Sequence, residues 1–471
     1  MTTVSKPPQF DPAALRRIPA ETLRRYDVPG PRYTSYPTAP AWVDTFGVPD
    51  YVKALEKSAA SARPLSVYVH IPFCESLCVY CGCNVVITQR EDKPRQYLAD
   101  LAHEIDRVAG LRQVGERETV QIAWGGGTPT HLTPQQIEDL MAHLRRRFPV
   151  AKDAEVGIEV DPRVTTREHV RAIVRAGFNR ISMGIQDFDP AVQEMIHRVQ
   201  PFELTRDFIG WCRAEGLKSV NVDLVYGLPL QTAASFDKTI DLVVGKLKPD
   251  RVSAFSYAHV PWLKPAQKKF DEATIPHGEA KFAIFTRLVE RMTAAGYEFV
   301  GMDHFARPDN ELAVAQREGR LWRNFQGFTT KSGTDLVGLG VTSIGQVAGA
   351  FAQNEKNLIA WGKRVREGDL AVTKGLWISE DDQIRARIIH QVMCGYRLSK
   401  SSIEREFGID FDARFGDAMA RLDPLEKDGM IVRTKDGFEL TSWGRVFVRN
   451  VCMLFDAHLP QPGQRAFSRT L

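Results

Sequence analysis

The chain has 471 residues, of which 43% are hydrophobic and 25% charged, and its formal net charge is +4. This length indicates two or three domains with a large buried core, and the weak positive charge is far from that of a typical nucleic-acid-binding protein. No run of 18 apolar residues appears, and the first residues lack the apolar region of a secretory signal, so we expect a cytoplasmic protein without a membrane span.

Residues 1–60 are predicted to form a proline-rich arm. The prolines between Pro29 and Pro49 exclude a long helix across that stretch. Aromatic and basic residues are interleaved in the arm, which favours packing against the rest of the protein over a disordered leader; they are Tyr26, Arg32, Tyr33, Tyr36 and Trp42.

Residues 61–375 alternate between β-rich runs and helical patterns. This alternation predicts βα units and a parallel sheet. Six units without an obvious hairpin fit an incomplete (β/α)6 barrel, in which chemistry gathers at the carboxyl ends of the strands. A helix near 278–295 leads to one further predicted strand within 297–308. The six barrel strands are predicted at 65–71, 120–124, 155–160, 180–185, 220–226 and 251–257.

Residues 376–471 are predicted to form a small, mostly helical domain of the winged-helix type. A capping box from Ser379 to Asp382 begins its first helix, and a hairpin is predicted to turn at Asp436 and Gly437. DNA binding is one interpretation of such a module. Winged-helix modules often serve as lids or packing domains instead, so we expect no nucleic-acid partner.

Four of the seven cysteines lie in the stretch HIPFCESLCVYCGC, directly after the first predicted strand. Cys74, Cys78 and Cys81 have the spacing CxxxCxxC, and no second pair follows at the interval of a structural zinc site. Three thiolates on a short loop are typical of an iron–sulfur cluster. Three ligands hold three irons of one 4Fe-4S cluster and leave the fourth iron open. Cys83 is therefore predicted to be a non-ligand near the cluster, and its role stays open.

The other three cysteines, Cys212, Cys394 and Cys452, have apolar neighbours and are predicted to be buried.

Polar or glycine-rich motifs follow the next four strands. AWGGGTPT contains three glycines that allow backbone to approach a ligand closely, although a plain tight turn is the alternative. In IEVDP, Glu159 and Asp161 lie at the end of the third strand, and Glu159 is the one expected to accept ribose hydroxyls. Gln186 ends the fourth strand, and Asp223 lies on the fifth. GLGVTSIG has the wrong glycine spacing and position for a dinucleotide site.

The cysteine spacing, with an aromatic residue (Tyr80) before the third cysteine, resembles the radical S-adenosylmethionine (SAM) enzymes. This resemblance implies that the open iron binds the amino and carboxylate groups of SAM. SAM is then cleaved to a 5′-deoxyadenosyl radical that abstracts hydrogen from a substrate, and the cofactors carry the difficult chemistry.

More narrowly, most of the chain from about Tyr26 onward resembles the oxygen-independent coproporphyrinogen III oxidases of haem biosynthesis. The strings that carry this resemblance include RYTSYPTAP, YVHIPFCESLCVYCGCN, WGGGTPT, FNRISMGIQDF, DLVYGLP, GMDHFARPDNELAVAQREG and NFQGFTT. The family resemblance implies oxidative decarboxylation of two propionates of coproporphyrinogen III to vinyl groups, with one 4Fe-4S cluster and two SAM molecules.

The resemblance also implies the site residues. The first SAM site would comprise Tyr68, Tyr80, Gly126, Glu159 and Ile344. The second would comprise Gly127, Thr128, Gln186, Arg198, Asp223 and Ala258, with Phe325 and Gln326 near the same cavity. Relatives often have Phe where Tyr80 stands, a change that keeps an aromatic contact. Cys83 and Tyr68 are expected to act in catalysis, and the candidates for binding substrate carboxylates are Arg32 and either His304 or Arg307.

Three alternatives stay open. The first is a haem-carrying paralogue, a chaperone rather than an oxidase; those relatives lack the YTSYPT arm and typically the extra cysteine, both of which are present here. The second is a radical SAM enzyme that acts on haem, and the third is an iron–sulfur regulator of DNA. For the oxidase we expect a monomer that requires an unidentified reductant and an electron acceptor.

Overall fold

The computed structural model describes residues 9–61, 63–111, 114–460 and 467–470. The strands in these residues are β1 (Leu65–Ile71), β2 (Phe73–Cys74), β3 (Val86–Ile87), β4 (Thr119–Gly126), β5 (Val150–Val160), β6 (Arg180–Gln186), β7 (Ser219–Tyr226), β8 (Arg251–Ser256), β9 (Glu298–Gly301), β10 (His304–Ala306), β11 (Trp322–Asn324), β12 (Gly327–Thr329), β13 (Asp335–Leu339), β14 (Ile344–Val347), β15 (Ala350–Asn354), β16 (Val372–Trp377), β17 (Arg397–Ser399), β18 (Ile431–Thr434) and β19 (Gly437–Leu440).

The α-helices in the same residues are α1 (Ala20–Tyr26), α2 (Val48–Ala59), α3 (Asp92–Gly110), α4 (Pro134–Arg147), α5 (Arg167–Arg175), α6 (Pro190–Met195), α7 (Phe202–Ala214), α8 (Ala233–Leu242), α9 (Gly278–Ala294), α10 (Glu311–Arg317), α11 (Leu358–Arg366), α12 (Glu380–Gly395), α13 (Lys400–Phe407), α14 (Phe411–Ala420), α15 (Asp423–Lys427), α16 (Ser442–Val446) and α17 (Val448–Met453).

The main sheet has the order β16-β15-β14-β13-β1-β4-β5-β6-β7-β8-β10-β9. Neighbours from β13 to β8 are parallel, and the outer strands on both sides are antiparallel. The six predicted barrel strands are therefore adjacent and in chain order, which confirms the incomplete barrel. The stretch 297–308 forms two strands rather than one, because the chain turns at Gly301 and Met302, both with positive φ.

Helices cover the outer face of the barrel because each presents one apolar side to the strands. Helix α4 is one example. Thr133 and Gln136 form a capping box at its amino end. Ile137, Met141 and Leu144 then lie one turn apart and are buried against the sheet.

The arm packs against the barrel, as its interleaved aromatic residues predict. Tyr33, Tyr36 and Trp42 are all buried, and the Trp42 ring stacks on Phe351 with centroids 5.1 Å apart. Helices α1 and α2 lie within the first 60 residues and were not expected from the proline content. Helix α2 begins at the end of the proline-rich stretch, with Pro49 in its first turn, where proline is tolerated.

The carboxyl-terminal part contains the predicted capping box and hairpin. Ser379 caps α12 together with Asp382, and β18 pairs with β19 next to Asp436. Asp436 accepts hydrogen bonds from the hydroxyls of Ser399 and Ser401, which anchors the hairpin to α13. The predicted burial of the three isolated cysteines (Cys212, Cys394 and Cys452) is confirmed. In the described part of the chain, no helix has the length and apolarity required to cross a membrane.

Candidate active site

Two cavities meet at the carboxyl ends of the barrel strands. The barrel cavity, of about 530 Å³, lies within the curve of the sheet. The cluster cavity, of about 450 Å³, lies between the cysteine loop and the ends of β4 to β8. Both are lined by Glu159, Ser182, Asp223 and Phe255, so they form one continuous site.

The four cysteines of the loop and all the predicted SAM-site residues line one of these two cavities. Tyr68, Glu159, Asp223, Phe325, Gln326 and Ile344 line the barrel cavity. Cys74, Cys78, Tyr80, Cys81, Cys83, Gly126, Gly127, Thr128, Glu159, Gln186, Arg198, Asp223 and Ala258 line the cluster cavity.

The donor set of the cysteine loop fits a 4Fe-4S cluster better than a single metal ion. Cys74, Cys78 and Cys81 are half-buried on one wall of the cluster cavity. Among the described residues, no three His, Cys, Asp or Glu side chains converge as they would on one ion. Thiolates of a cube each bind a different iron, so they need not converge.

A hydrogen bond joins Cys81 and Cys83. The Cys83 backbone N–H lies 3.4 Å from the Cys81 sulfur. Hydrogen bonding between the two thiols lowers the pKa of Cys81 and raises that of Cys83. The two thiols are therefore neighbours on the loop, and the non-ligand role of Cys83 stays a prediction.

A charged network that sequence reasoning missed lies beside Cys78. Asp161 accepts hydrogen bonds from Arg163 at 2.6 Å and from Arg198 at 3.0 Å, and it is almost fully buried. The two guanidinium groups approach the Cys78 sulfur to 3.5 Å and 3.8 Å. They lower the pKa of Asp161 against the opposing effect of burial. The available signal was the DPR triplet directly after β5, in which an acidic and a basic residue are two positions apart.

The glycine-rich turn after β4 is required by close packing. A Cβ on Gly126, whose φ is +115°, would lie 2.5 Å from the His70 ring. A Cβ on Gly127 would lie 2.7 Å from the Pro72 backbone. The Gly126 N–H donates to Glu159 at 3.3 Å, so the turn and the end of β5 are held together.

Two groups on the cavity walls give the site its polarity, Glu159, which is exposed to the cavity, and the buried His70. Burial, together with the nearby Asp223, raises the pKa of Glu159 to about 7, although the carboxylate is open to the cavity. Tyr68 OH lies 3.1 Å from His70 Nδ1, and burial lowers the pKa of His70 to about 4. Sequence reasoning missed His70; its place in the same strand as Tyr68, two residues on and facing the same side, was the available signal.

The candidates for binding substrate carboxylates have different positions. Arg32 forms an ion pair with the buried Asp303, and His304 lines the barrel cavity. The expectation for Arg307 is wrong. Because β10 runs antiparallel to β8, Arg307 lies at the amino end of the barrel, where it pairs with Asp309 at 3.4 Å.

GLGVTSIG joins β13 to the antiparallel β14, and no helix follows it. A dinucleotide site has a helix after such a turn, so this segment differs from one in its local structure.

Comparison with known proteins places these features in a family. The model of the Radical SAM superfamily matches residues 68–243, and the HemN C-terminal domain matches residues 378–447. The oxygen-independent coproporphyrinogen III oxidase of Salmonella typhimurium is 44% identical over 95% of this chain and 97% of its own length. That of Pseudomonas aeruginosa is 43% identical over 97% and 99%.

The solved structure of coproporphyrinogen III oxidase (HemN) from Escherichia coli, described as a radical SAM enzyme, is 42% identical to the chain. It matches with a TM-score of 0.88 and covers 96% of this chain and 99% of its own. The superfamily implies a 4Fe-4S cluster and SAM, which agrees with the three-thiol loop at the mouth of the barrel. The chain belongs to the family of oxygen-independent coproporphyrinogen III oxidases.

Proposed function

We propose that this protein converts coproporphyrinogen III to protoporphyrinogen IX without oxygen, by oxidative decarboxylation of two propionates to vinyl groups. The observation that carries the proposal is the joining of the three-cysteine loop to a large barrel cavity through Glu159 and Asp223. Relatives named for this activity share more than 40% of its residues over nearly the whole chain.

The residues that would hold the cofactors follow from their positions. Cys74, Cys78 and Cys81 would hold the cluster, and the cavity beside them would hold SAM. When bound, the cluster and SAM supply an electron and a 5′-deoxyadenosyl radical for hydrogen abstraction. The two SAM molecules of our proposal would use two sets of residues: Tyr68, Tyr80, Gly126, Glu159 and Ile344, and Gly127, Thr128, Gln186, Arg198, Asp223 and Ala258.

The side chains and backbone of the protein would position the bound cofactors and keep water from them. The turn at Gly126 and Gly127 brings backbone to the cavity, where its carbonyl oxygens would accept hydrogen bonds from an amino group, because the two N–H groups already donate to Glu159 and to the Ile71 carbonyl. Glu159 and Asp223 would accept hydrogen bonds from hydroxyl groups. Arg198 carries positive charge to the cysteine loop while Asp161 keeps the guanidinium in place.

We assign the arm to residues 1–60, the barrel to 61–375 and a carboxyl-terminal domain to 376–471. The arm and this domain would cover the open side of the barrel and keep water from the radical. The Arg32–Asp303 ion pair and the Tyr33–Asp456 hydrogen bond, of 2.9 Å, support this role. The enzyme would act as a cytoplasmic monomer with a separate reductant and electron acceptor.

The test is an anaerobic assay. The reconstituted enzyme, SAM, a reductant and coproporphyrinogen III should yield a product that fluoresces as protoporphyrin after oxidation. A Cys78→Ala variant should lose cluster absorbance and activity, whereas a Cys212→Ala variant should keep both, because Cys212 is a buried residue of α7. SAM cleavage without vinyl formation would leave radical chemistry standing and reject this substrate. Tight haem binding without turnover would favour the haem-carrying alternative.

A further inference from the structure

The carboxyl end of the barrel cavity is acidic. Glu159 and Asp223 line this end, where the barrel cavity joins the cluster cavity. The guanidinium groups of the cavity lie at the other end, because Arg180 and Arg251 are the first residues of β6 and β8. Both also form ion pairs with Glu311. A propionate that enters beside Glu159 and Asp223 would therefore be driven towards its protonated form by burial and by the neighbouring carboxylates.

The protonation state of this propionate decides whether the proposed reaction can finish. Once a hydrogen atom has left the β-carbon, the bond between the α-carbon and the carboxyl carbon breaks, CO₂ leaves and one electron passes to the acceptor. An ionised propionate gives the vinyl group, CO₂, the hydrogen atom and the electron without any proton transfer. A protonated carboxyl group would first have to lose its proton. The site therefore requires a group that keeps the propionate ionised.

His304, on β10, has the geometry for this role. Its Nδ1 lies 2.8 Å from one carboxylate oxygen of the buried Asp303, whose other oxygen forms an ion pair with Arg32. The imidazole ring is perpendicular to the rings of Phe255 and Phe328, whose centroids are 5.8 Å and 5.2 Å away. The ring lines the barrel cavity, and its Nε2 is not enclosed by protein and has no hydrogen-bond partner in the part of the chain that the structure describes.

The register of the sheet places His304 in line with Asp223. Asp223 on β7 is opposite Ser253 on β8, and Ser253 is opposite His304 on β10. Register partners point to the same face of a sheet, so all three side chains line the barrel cavity. Two strand spacings, about 10 Å, separate the backbones of His304 and Asp223. A carboxylate above Ser253 would therefore contact Nε2 of His304 close to the wall that Asp223 shares with the cluster cavity.

The other histidine of the barrel cavity, His70, does not suit this role. Both of its ring nitrogens already have partners, Nδ1 with Tyr68 OH at 3.1 Å and Nε2 with the Asn84 carbonyl at 3.2 Å. Burial lowers the pKa of His70 to about 4, so its ring stays neutral. His304 differs because its Nδ1 faces a carboxylate, which favours the charged form of the ring.

We propose that protonated His304, held in place by Asp303, binds the reacting propionate and keeps it ionised. Nδ1–H donates to Asp303, and Nε2–H donates to the substrate carboxylate. The imidazolium charge then offsets the acidic end of the cavity. In this assignment His304 is a substrate-binding residue and Asp303 is a positioning residue. The inference rests on the proposed function, which supplies the propionate.

Charged groups on three other elements act on this pair. Arg32 in the arm and Arg323 on β11 face Asp303, and Asp223 on β7 faces His304, whereas the residues of β8 and β12 that contact the ring are uncharged. Burial opposes ionisation of Asp303, but Arg32, His304 and Arg323 lower its pKa far below the ordinary value. Asp303 therefore stays ionised through the range of the assay, and the proton on Nδ1 of His304 stays in place.

The test compares His304→Gln with wild type in the anaerobic assay, with coproporphyrinogen III that carries an isotopic label in its carboxyl carbons. Glutamine keeps a hydrogen-bond donor but has no charge. At pH 6 the variant should form more 5′-deoxyadenosine per CO₂ released, and its kcat should fall about tenfold while the KM changes less. The kcat of the variant should recover by up to about tenfold per pH unit, as the propionate ionises without help, whereas that of the wild type changes little.

Two further variants complete the comparison. Asp303→Asn should shift the pH profile in the same direction as His304→Gln, because Nδ1 loses its carboxylate. His143→Gln is the matched control and should behave as wild type. His143, on α4, also pairs with an aspartate, Asp106, at 2.9 Å, and it lines neither cavity.

Wild-type coupling and a wild-type pH profile in a folded His304→Gln variant would overturn the inference. Cluster absorbance after reconstitution reports on folding, and His304→Asn replaces the glutamine variant if that variant does not fold. An unchanged variant beside an active wild type would reject this inference alone. A wild type that releases no CO₂ would reject the proposed function, and this inference with it.

Discussion

Glu104, on α3, allows a quantitative test of how burial changes the pKa of a carboxyl group that supports the site. It is 3% exposed and accepts hydrogen bonds from Gly340 N and Asn354 Nδ2, both at 2.6 Å, and from Trp361 Nε1 at 3.4 Å. It thereby ties α3 to the turn after β13, four residues before Ile344. Burial is the main cause that raises its pKa to about 7.

The magnitude follows from the two protonation equilibria. The pKa of Glu104 rises from an ordinary 4.5 to about 7, which corresponds to about 3 kcal/mol. Because the folded-state pKa is the higher one, the stabilisation is fully present below about pH 4.5 and is lost as the pH rises through 7. Glu104→Gln cannot ionise. The difference in unfolding free energy between wild type and variant should therefore fall by about 3 kcal/mol over this range.

The assay is urea unfolding of the anaerobic protein, followed by tryptophan fluorescence at several pH values from 5 to 8.5. Glu367→Gln is the control, because that carboxylate is exposed on the surface at the end of α11. A difference between wild type and Glu104→Gln that is the same at pH 5 and pH 8.5 would refute the reasoning. It would mean that the three donors, and not burial, govern the ionisation of this carboxyl group.

Three further predictions concern the site itself. Cys83→Ser should retain a normal 4Fe-4S absorption spectrum after reconstitution and lose turnover; loss of the cluster would make Cys83 a ligand. Asp161→Asn should lower the unfolding free energy by about 3–5 kcal/mol, because two buried guanidinium groups lose their carboxylate, and should weaken SAM binding in equilibrium dialysis. An unchanged melting temperature would contradict that account. Removal of residues 1–40 should raise SAM cleavage that is not coupled to product, measured as 5′-deoxyadenosine per protoporphyrinogen; full coupled turnover would show that the arm does not shield the site.

Much of the barrel and of the cofactor site could be predicted because the signals are local. Strand periodicity located all six parallel strands, and β5 alone begins several residues earlier than expected, at Val150. The cysteine loop and the glycine-rich turn each come from one short segment, so their sequence alone predicts that they lie at the carboxyl ends of β1 and β4. Alternation along β5 does not separate Glu159 from Asp161, because residues two apart in a strand face the same side, and β5 ends at Val160, before Asp161. Alternation could not show that Asp161 faces Arg198, since that contact joins two segments 37 residues apart.

The remaining features depend on contacts that no single stretch of sequence contains. The edge strands β14 to β16, which extend the sheet past β13, were not predicted. The sequence also gave no sign that β10 runs antiparallel to β8, and this direction places Arg307 at the amino end of the barrel.

The ion pair of Arg32 and Asp303 is the clearest case. It joins the arm to the turn between β9 and β10, 271 residues further along the chain, and Asp303 is buried. In the sequence, each of the two residues has the pattern of an ordinary surface charge. Their pairing exists only because the arm packs against the barrel, so local motifs predict the cysteine loop and the strand ends, whereas the cover over them depends on contacts between distant segments.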